Sequence, residues 1–150
     1  MKLTDQQERW LQALESGKYN QTKEVLNDGK GGFCCLGVAC DIFEEELGLI
    51  KQEDHITAEF EQKNVISYKS KEDYSFYAEV PPNAVKEILN LRTNGGDVKY
   101  GYAAPDNHLK AYDNFVQEVG YCLVEMNDDG KSFKEIAEKV RANPQFYFKE

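Results

Sequence analysis

The chain is short of basic charge, of proline and of long apolar runs, and each shortage removes a class of protein. Nothing in it approaches about eighteen consecutive apolar residues, the length a membrane-crossing helix needs. Met1-Lys2-Leu3-Thr4-Asp5 is not followed by an apolar segment, so no secretory signal is expected. Lys and Arg number 18 against 27 Asp and Glu, a formal net charge of -9. A protein that gains affinity by neutralising phosphates needs the opposite balance, which argues against direct nucleic-acid binding. A local basic set remains in the C-terminal half, at Lys99, Lys110, Lys131, Lys134, Lys139 and Arg141. There is no internal repeat, low-complexity tract or linker. Residues 1–150 therefore read as a single globular domain, acidic and expected in the cytoplasm, with reduced thiols.

Metal-binding patterns are missing too. Cys34, Cys35, Cys40, Cys122, His55 and His108 offer only C-C and C-x4-C as short spacings, whereas structural zinc sites show paired short spacings. Asn127-Asp128-Asp129-Gly130-Lys131-Ser132 invites a calcium reading, but Lys131 and Ser132 fall where the loop needs an oxygen ligand and a glycine. Ser132-Phe133-Lys134-Glu135-Ile136-Ala137 after a turn has the look of a DNA-reading corner. Pro144 leaves no room for a recognition helix behind it. No metal and no cofactor are expected.

What the chain does have is Gly31-Gly32-Phe33-Cys34-Cys35-Leu36-Gly37-Val38-Ala39-Cys40-Asp41, with three of its 4 cysteines in eleven residues. Around it the hydrophobic periodicity predicts an α+β fold, mainly helical, with about five helices. Thr4 and Gln7 form a capping box before a helix over 5–16 carrying Trp10, Leu11 and Leu14, and Gly17 stops it. Residues 22–27 are expected to make a short turn with Val25 and Leu26. Leu36, Ala39, Cys40, Phe43 and Leu47 share a helix face that ends at Gly48. Alternation at Ile56, Ala58 and Phe60, then Val65–Tyr68, then Tyr74, Phe76 and Ala78 predicts two or three short antiparallel strands over about 55–80. Pro81-Pro82 opens a helix with Val85, Ile88, Leu89 and Leu91 inward. Asp106 is expected to cap the longest helix, running to about residue 126. A second capping box, Ser132 with Glu135, starts the last helix, which presents Phe133, Ile136, Ala137 and Val140 inward and stops at Pro144.

The chemistry of the cysteine segment divides two ways. A thiol at a helix N-terminus meets the positive end of the dipole, which lowers its pKa and makes it a nucleophile. Cys34 or Cys35 would then act with His55 or His108 as base and Asp106, Asn107 or Asp41 as orienting group, giving a cysteine-dependent hydrolase or acyl transferase. The other reading makes the cysteines small hydrophobes where glycines let elements approach closely, and it is the one favoured. No catalytic residue is assigned. Ligand contact is placed instead at Arg92, Asn94, Lys99, Tyr100 and Tyr102, where glycine N–H groups and two cations suit a phosphate and a tyrosine ring can stack a base. Trp10, Tyr19 and Gln21 form a second polar-aromatic set, read as a hydrophobic anchor with a satisfied rim. The acidic run Glu44–Glu46 admits an acidic DNA-mimic inhibitor as a further alternative.

Trp10-Leu11-Gln12-Ala13-Leu14-Glu15-Ser16-Gly17-Lys18-Tyr19-Asn20-Gln21 and the segment Gly32–Asp41 are followed by a third block. This is Leu123-Val124-Glu125-Met126-Asn127-Asp128-Asp129-Gly130-Lys131-Ser132-Phe133-Lys134-Glu135-Ile136-Ala137. Together they resemble a pattern in small uncharacterised proteins of bacteriophages and bacteria. In these, W-x-x-A-L-x-S-G-x-Y-x-Q leads to C-C-L-G-V-x-C-[DE] and then to N-D-x-G-x-[ST]-F-x-x-I-A. Residues 50–105 stand outside the resemblance. It implies a phage or mobile-element setting, where small acidic proteins often act by binding, and the reading favoured here is a non-enzymatic accessory protein. Its expected partner is a host protein or a nucleotide-like signal molecule, as in counter-defence by sequestration.

Overall fold

A computed structural model describes residues 1–58, 60–92 and 122–149. The N-terminal helix α1, Asp5–Glu15, starts where its sequence says it must. The Thr4 side chain accepts the Gln7 N–H at 3.1 Å and the Gln7 side chain accepts the Thr4 N–H at 2.9 Å, which satisfies two donors at the helix start. Trp10, Leu11 and Leu14 are buried. Gln7 is buried as well, because its amide also donates to the Leu89 carbonyl at 2.9 Å.

Two two-residue strands follow, β1 (Asn20–Gln21) and β2 (Gly32–Phe33), paired in parallel. The chain between them is irregular. Val25 and Leu26 are buried there, and three residues take positive φ: Glu24, Gly29 and Gly31. The helix α2, Cys35–Leu47, runs through the centre and ends on Gly48 in the left-handed region at φ 61. Residues Cys35 to Cys40 are all buried, so its first turns are enclosed on every side while Asp41, Glu45 and Glu46 lie exposed beyond.

The middle of the chain forms one long hairpin, β3 (Ile50–Ala58) with β4 (Glu61–Lys69), in antiparallel register from Ile50 opposite Lys69 to Ala58 opposite Glu61. Of the two or three strands expected, two form, and Tyr74–Ala78 contributes only an isolated bridge between Tyr77 and Tyr68. Its alternation misleads because Tyr74 is fully exposed and Lys69 sits over the Phe76 ring, so these aromatics do not line a sheet face. Phe60 is corrected similarly. It occupies the hairpin turn at φ 69, fully exposed, rather than a strand face.

Helix α3, Asn83–Leu89, opens after Pro82 and closes on Asn90 at φ 57. The long helix expected from Asp106 lies outside the described residues except for its end, and there it is corrected. Cys122 is extended (φ -61, ψ 157), so a separate helix α4, Leu123–Asp128, begins with Cys122 as its N-cap. Helix α5, Phe133–Ala142, carries the second capping box, with Phe133, Ile136, Ala137 and Val140 buried. Pro144 ends α5 and occupies the first turn of a short helix α6, Pro144–Tyr147. These elements make an α+β fold with a small antiparallel sheet.

Helix α1 packs on α2, α3 and α5. Trp10 stands at the middle of that contact, edge-on to Phe148 at 6.2 Å between ring centroids. On the surface, Arg141 of α5 holds Glu8 and Glu15 of α1, each at 2.8 Å. Its hydrogen bonds hold the Glu8 carboxyl below its ordinary pKa, so this clamp stabilises the fold above the carboxylate range and fades as pH falls through it. About a third of the Arg141 side chain is exposed, and solvent screening limits its worth. Arg141→Ala is expected to lower the unfolding free energy by about 1 kcal/mol at pH 7, a difference that closes below pH 4. Urea denaturation of both proteins at the two pH values checks this.

Candidate functional site

The three sequence blocks, far apart along the chain, meet in space at the start of α2. Cys34 is its N-cap, extended at φ -81 and ψ 174, with its sulfur accepting the Gly37 N–H at 3.3 Å. Cys35 is fixed from three sides. Its carbonyl accepts the Trp10 indole N–H at 2.9 Å, its own N–H donates to the Asn127 side-chain oxygen at 3.1 Å, and its thiol points to the Leu123 carbonyl at 3.5 Å. Asn127 is completely buried. Its side-chain oxygen also accepts the Gln21 amide at 2.8 Å, and its NH2 donates to the Thr22 carbonyl at 2.7 Å. Gln21 donates again to the Lys131 carbonyl at 2.8 Å. Nearby, the Tyr19 hydroxyl donates to Asp41 at 2.6 Å, and the Tyr19 ring stands edge-on to Phe33. Trp10, Tyr19 and Gln21 are thus the anchor with a satisfied rim that their pattern predicts.

Burial dominates the thiols. All four cysteines are free and buried. Desolvation pushes Cys34 up to about 11, against the opposing backbone hydrogen bond from Gly37, and raises Cys35 and Cys40 well above the ordinary thiol value. The helix N-terminus therefore loses to the missing water, and the thiol form prevails at neutral pH. His55 lies exposed on β3, its ring against Asn64 of β4, and Asp41 is engaged by Tyr19. Neither stands as partner to an accessible thiol. His108, Asp106 and Asn107 lie outside the described residues.

A group whose pKa is raised on folding stabilises the fold below its ordinary value, and that contribution disappears as pH rises through the folded value. For Cys34 the window runs from about 9 to about 11. Stability to urea is expected to fall over that interval; a midpoint unchanged between pH 8 and pH 10.5 would contradict sealed thiols.

Of the predicted ligand residues, Arg92 is half-buried. Its side chain donates to the Gln145 carbonyl at 2.9 Å and its backbone N–H to the Tyr147 carbonyl at 2.9 Å, which ties it to α6. Asn94, Lys99, Tyr100 and Tyr102 lie outside the described residues. In the acidic run, Glu44 pairs with Lys51 at 2.9 Å and Glu46 with Arg9. Among the described residues no three of His, Cys, Asp and Glu converge as metal ligands, and no helix is long and apolar enough to cross a membrane.

Concave surface occurs where the hairpin leans toward the chain between β1 and β2. A cleft of about 390 Å³ is lined by Thr22, Lys23, Glu24, Asp28 and Lys30 on one wall and by residues 61–65 of β4 on the other. Its first wall is built by the third sequence block. Asn127 holds the Thr22 carbonyl, and the Asp128 carboxylate accepts the Glu24 N–H at 2.8 Å, keeping Glu24 at φ 71. Asp28 is turned into its own loop, accepting the Lys30 and Gly32 N–H groups at 2.8 Å each. Sequence reasoning missed both Asn127 as a hub and this cleft. The available signal was a pair of amide side chains, Gln21 and Asn127, each inside a patterned block. The cleft carried none, because β4 approaches it from the unpatterned middle.

No curated protein matches the chain, and no solved structure does. A family model described as a domain of unknown function, DUF8296, matches residues 2–144. That span takes in all three blocks whose side chains interlock around Asn127, and the chain belongs to the DUF8296 family.

Proposed function

We propose that this chain is a non-enzymatic binding protein, a phage or mobile-element accessory factor that captures a host component. The observation that carries this reading is how the patterned polar residues are used. Trp10, Tyr19, Gln21, Asp41 and Asn127 each have an internal hydrogen-bond partner, and the thiols lie under side chains. A pattern made of such residues preserves a framework, whereas a nucleophile needs a thiolate within reach of solvent and a base. The acidic surface suits a soluble partner reached by diffusion, with no requirement for nucleic acid or lipid.

Iodoacetamide at pH 8 separates this from the cysteine-hydrolase alternative. All four thiols are expected to stay unmodified in the folded protein and to react on addition of denaturant. Cys34→Ser is expected to keep any partner that the unsubstituted protein retains. Rapid native alkylation of Cys34 or Cys35 would overturn the binding reading in favour of catalysis.

A further inference from the structure

We propose that the cleft between residues 22–30 and β4 binds a small phosphate-bearing anion through Lys23, Lys30 and Lys63. This names a ligand class for the binding reading above and rests on it. Lys23, Lys30 and Lys63 are three of the residues lining one cleft of a chain whose formal net charge is -9, with the Lys23 ammonium standing beside Gly130 in the turn after α4. The carboxylates beside them do not cancel them equally. Asp28 has one oxygen on the Lys30 and Gly32 N–H groups and the other turned toward Gly32. Glu24 reaches Lys63, loosely, at 3.9 Å. Glu61, on the β4 wall, is exposed. Among the described residues Lys23 and Lys30 have no carboxylate partner.

The wall that carries the lysines is held firmly. Glu24 is exposed, so core packing does not require its left-handed backbone, a conformation that costs a non-glycine residue about 1 kcal/mol or more. Asp128 maintains it, and the result is that the Glu24 side chain stands against Lys63 while Lys23 and Lys30 are left unpaired. The opposite wall supplies hydrogen-bonding groups. In the β3–β4 register Ile66 and Tyr68 turn their N–H groups away from β3, to Asn27 and Tyr77, so Gln62, at the same parity, turns its own outward as well. Asn64 has the same parity and lies beside Gly29. A volume of about 390 Å³ falls in the range of small-molecule sites. An entering phosphate would draw the Lys23 ammonium from beside Gly130 to meet it together with Lys30, and would draw Lys63 away from Glu24.

The test is calorimetric titration of the full chain with inorganic pyrophosphate and with adenosine 5′-monophosphate, at low salt. Saturable one-to-one binding is expected, weakened at least about tenfold in the Lys23→Gln/Lys30→Gln double variant and unchanged in Lys71→Gln. Glu24→Gln is expected to tighten binding severalfold by releasing Lys63. A merely structural role for Glu24 would not produce that sign. These are surface substitutions, and unaltered thermal transitions will show that each variant is folded. Preference for the monophosphate marks a nucleotide, and equal or better binding of pyrophosphate marks phosphate recognition alone. Absence of saturable binding by both probes up to millimolar concentration, binding that survives the double lysine change, or weakening by Glu24→Gln each overturns the proposal. If a host protein is still retained in any of those cases, the broader binding reading stands while this one falls.

Discussion

Gly37→Ala is expected to lower the unfolding free energy by about 3–5 kcal/mol, or to prevent folding, because one methyl group has nowhere to go. A Cβ on Gly37 would lie 2.6 Å from the Leu26 carbonyl carbon and closer still to its oxygen. Neither side can yield easily. Gly37 sits in the first turn of α2, and Leu26 is held on both faces, its N–H to Ala78 at 2.7 Å and its carbonyl to Cys34 at 3.3 Å. For a domain of this size the melting temperature should drop by roughly 10 °C or more. Gly48→Ala makes the comparison, since its Cβ would meet only the end of the Lys71 side chain at 3.9 Å and the penalty comes from φ 61 alone. That variant should lose about 1 kcal/mol. Equal losses in the two variants, measured by urea denaturation, would show that the approach of Leu26 to α2 is not tight.

Asn127→Leu is expected to be comparably severe, at about 3–5 kcal/mol. It removes the acceptor for the buried Cys35 N–H and for Gln21 and the donor to the half-buried Thr22 carbonyl, and a buried polar group left unsatisfied costs about 1–3 kcal/mol. Asn127→Asp is the sharper probe. It keeps the shape and the acceptor oxygen, but sets a second oxygen against the Thr22 carbonyl and buries a charge. Protonation restores one O–H donor at that position. The buried carboxyl's pKa should therefore be raised, and the gap to the unsubstituted protein should narrow as pH falls. A gap independent of pH between 4 and 8 would contradict the donor role assigned to the Asn127 amide.

The helices were legible in the sequence wherever a cap and a periodic face coincided. The Thr4–Gln7 and Ser132–Glu135 boxes locate α1 and α5 because the interactions that start a helix lie within four residues of one another. Gly48 was readable as a stop for the same reason. Where alternation alone was the guide, it over-reached. Tyr74, Phe76 and Ala78 have a strand's spacing, but a strand needs a partner edge, and β4 offers Tyr77 only one bridge. Cys122 hid the start of α4 because a thiol is an unusual cap. Here its sulfur accepts the Glu125 N–H at 3.4 Å, as Cys34 does for Gly37. The framework role of the cysteines was legible from the glycines around them. The meeting of Gln21, Cys35 and Asn127 was not, since contacts across 92 and 106 positions leave no local trace.

Trp10 is the chain's only tryptophan, and its indole is sealed at the seam between α1 and α2 with its N–H on the Cys35 carbonyl. The molecule thus carries its own optical reporter at the point where its patterned segments interlock. Blue-shifted emission marks that seam closed, and a red shift on heating or mutation reads its opening without any label.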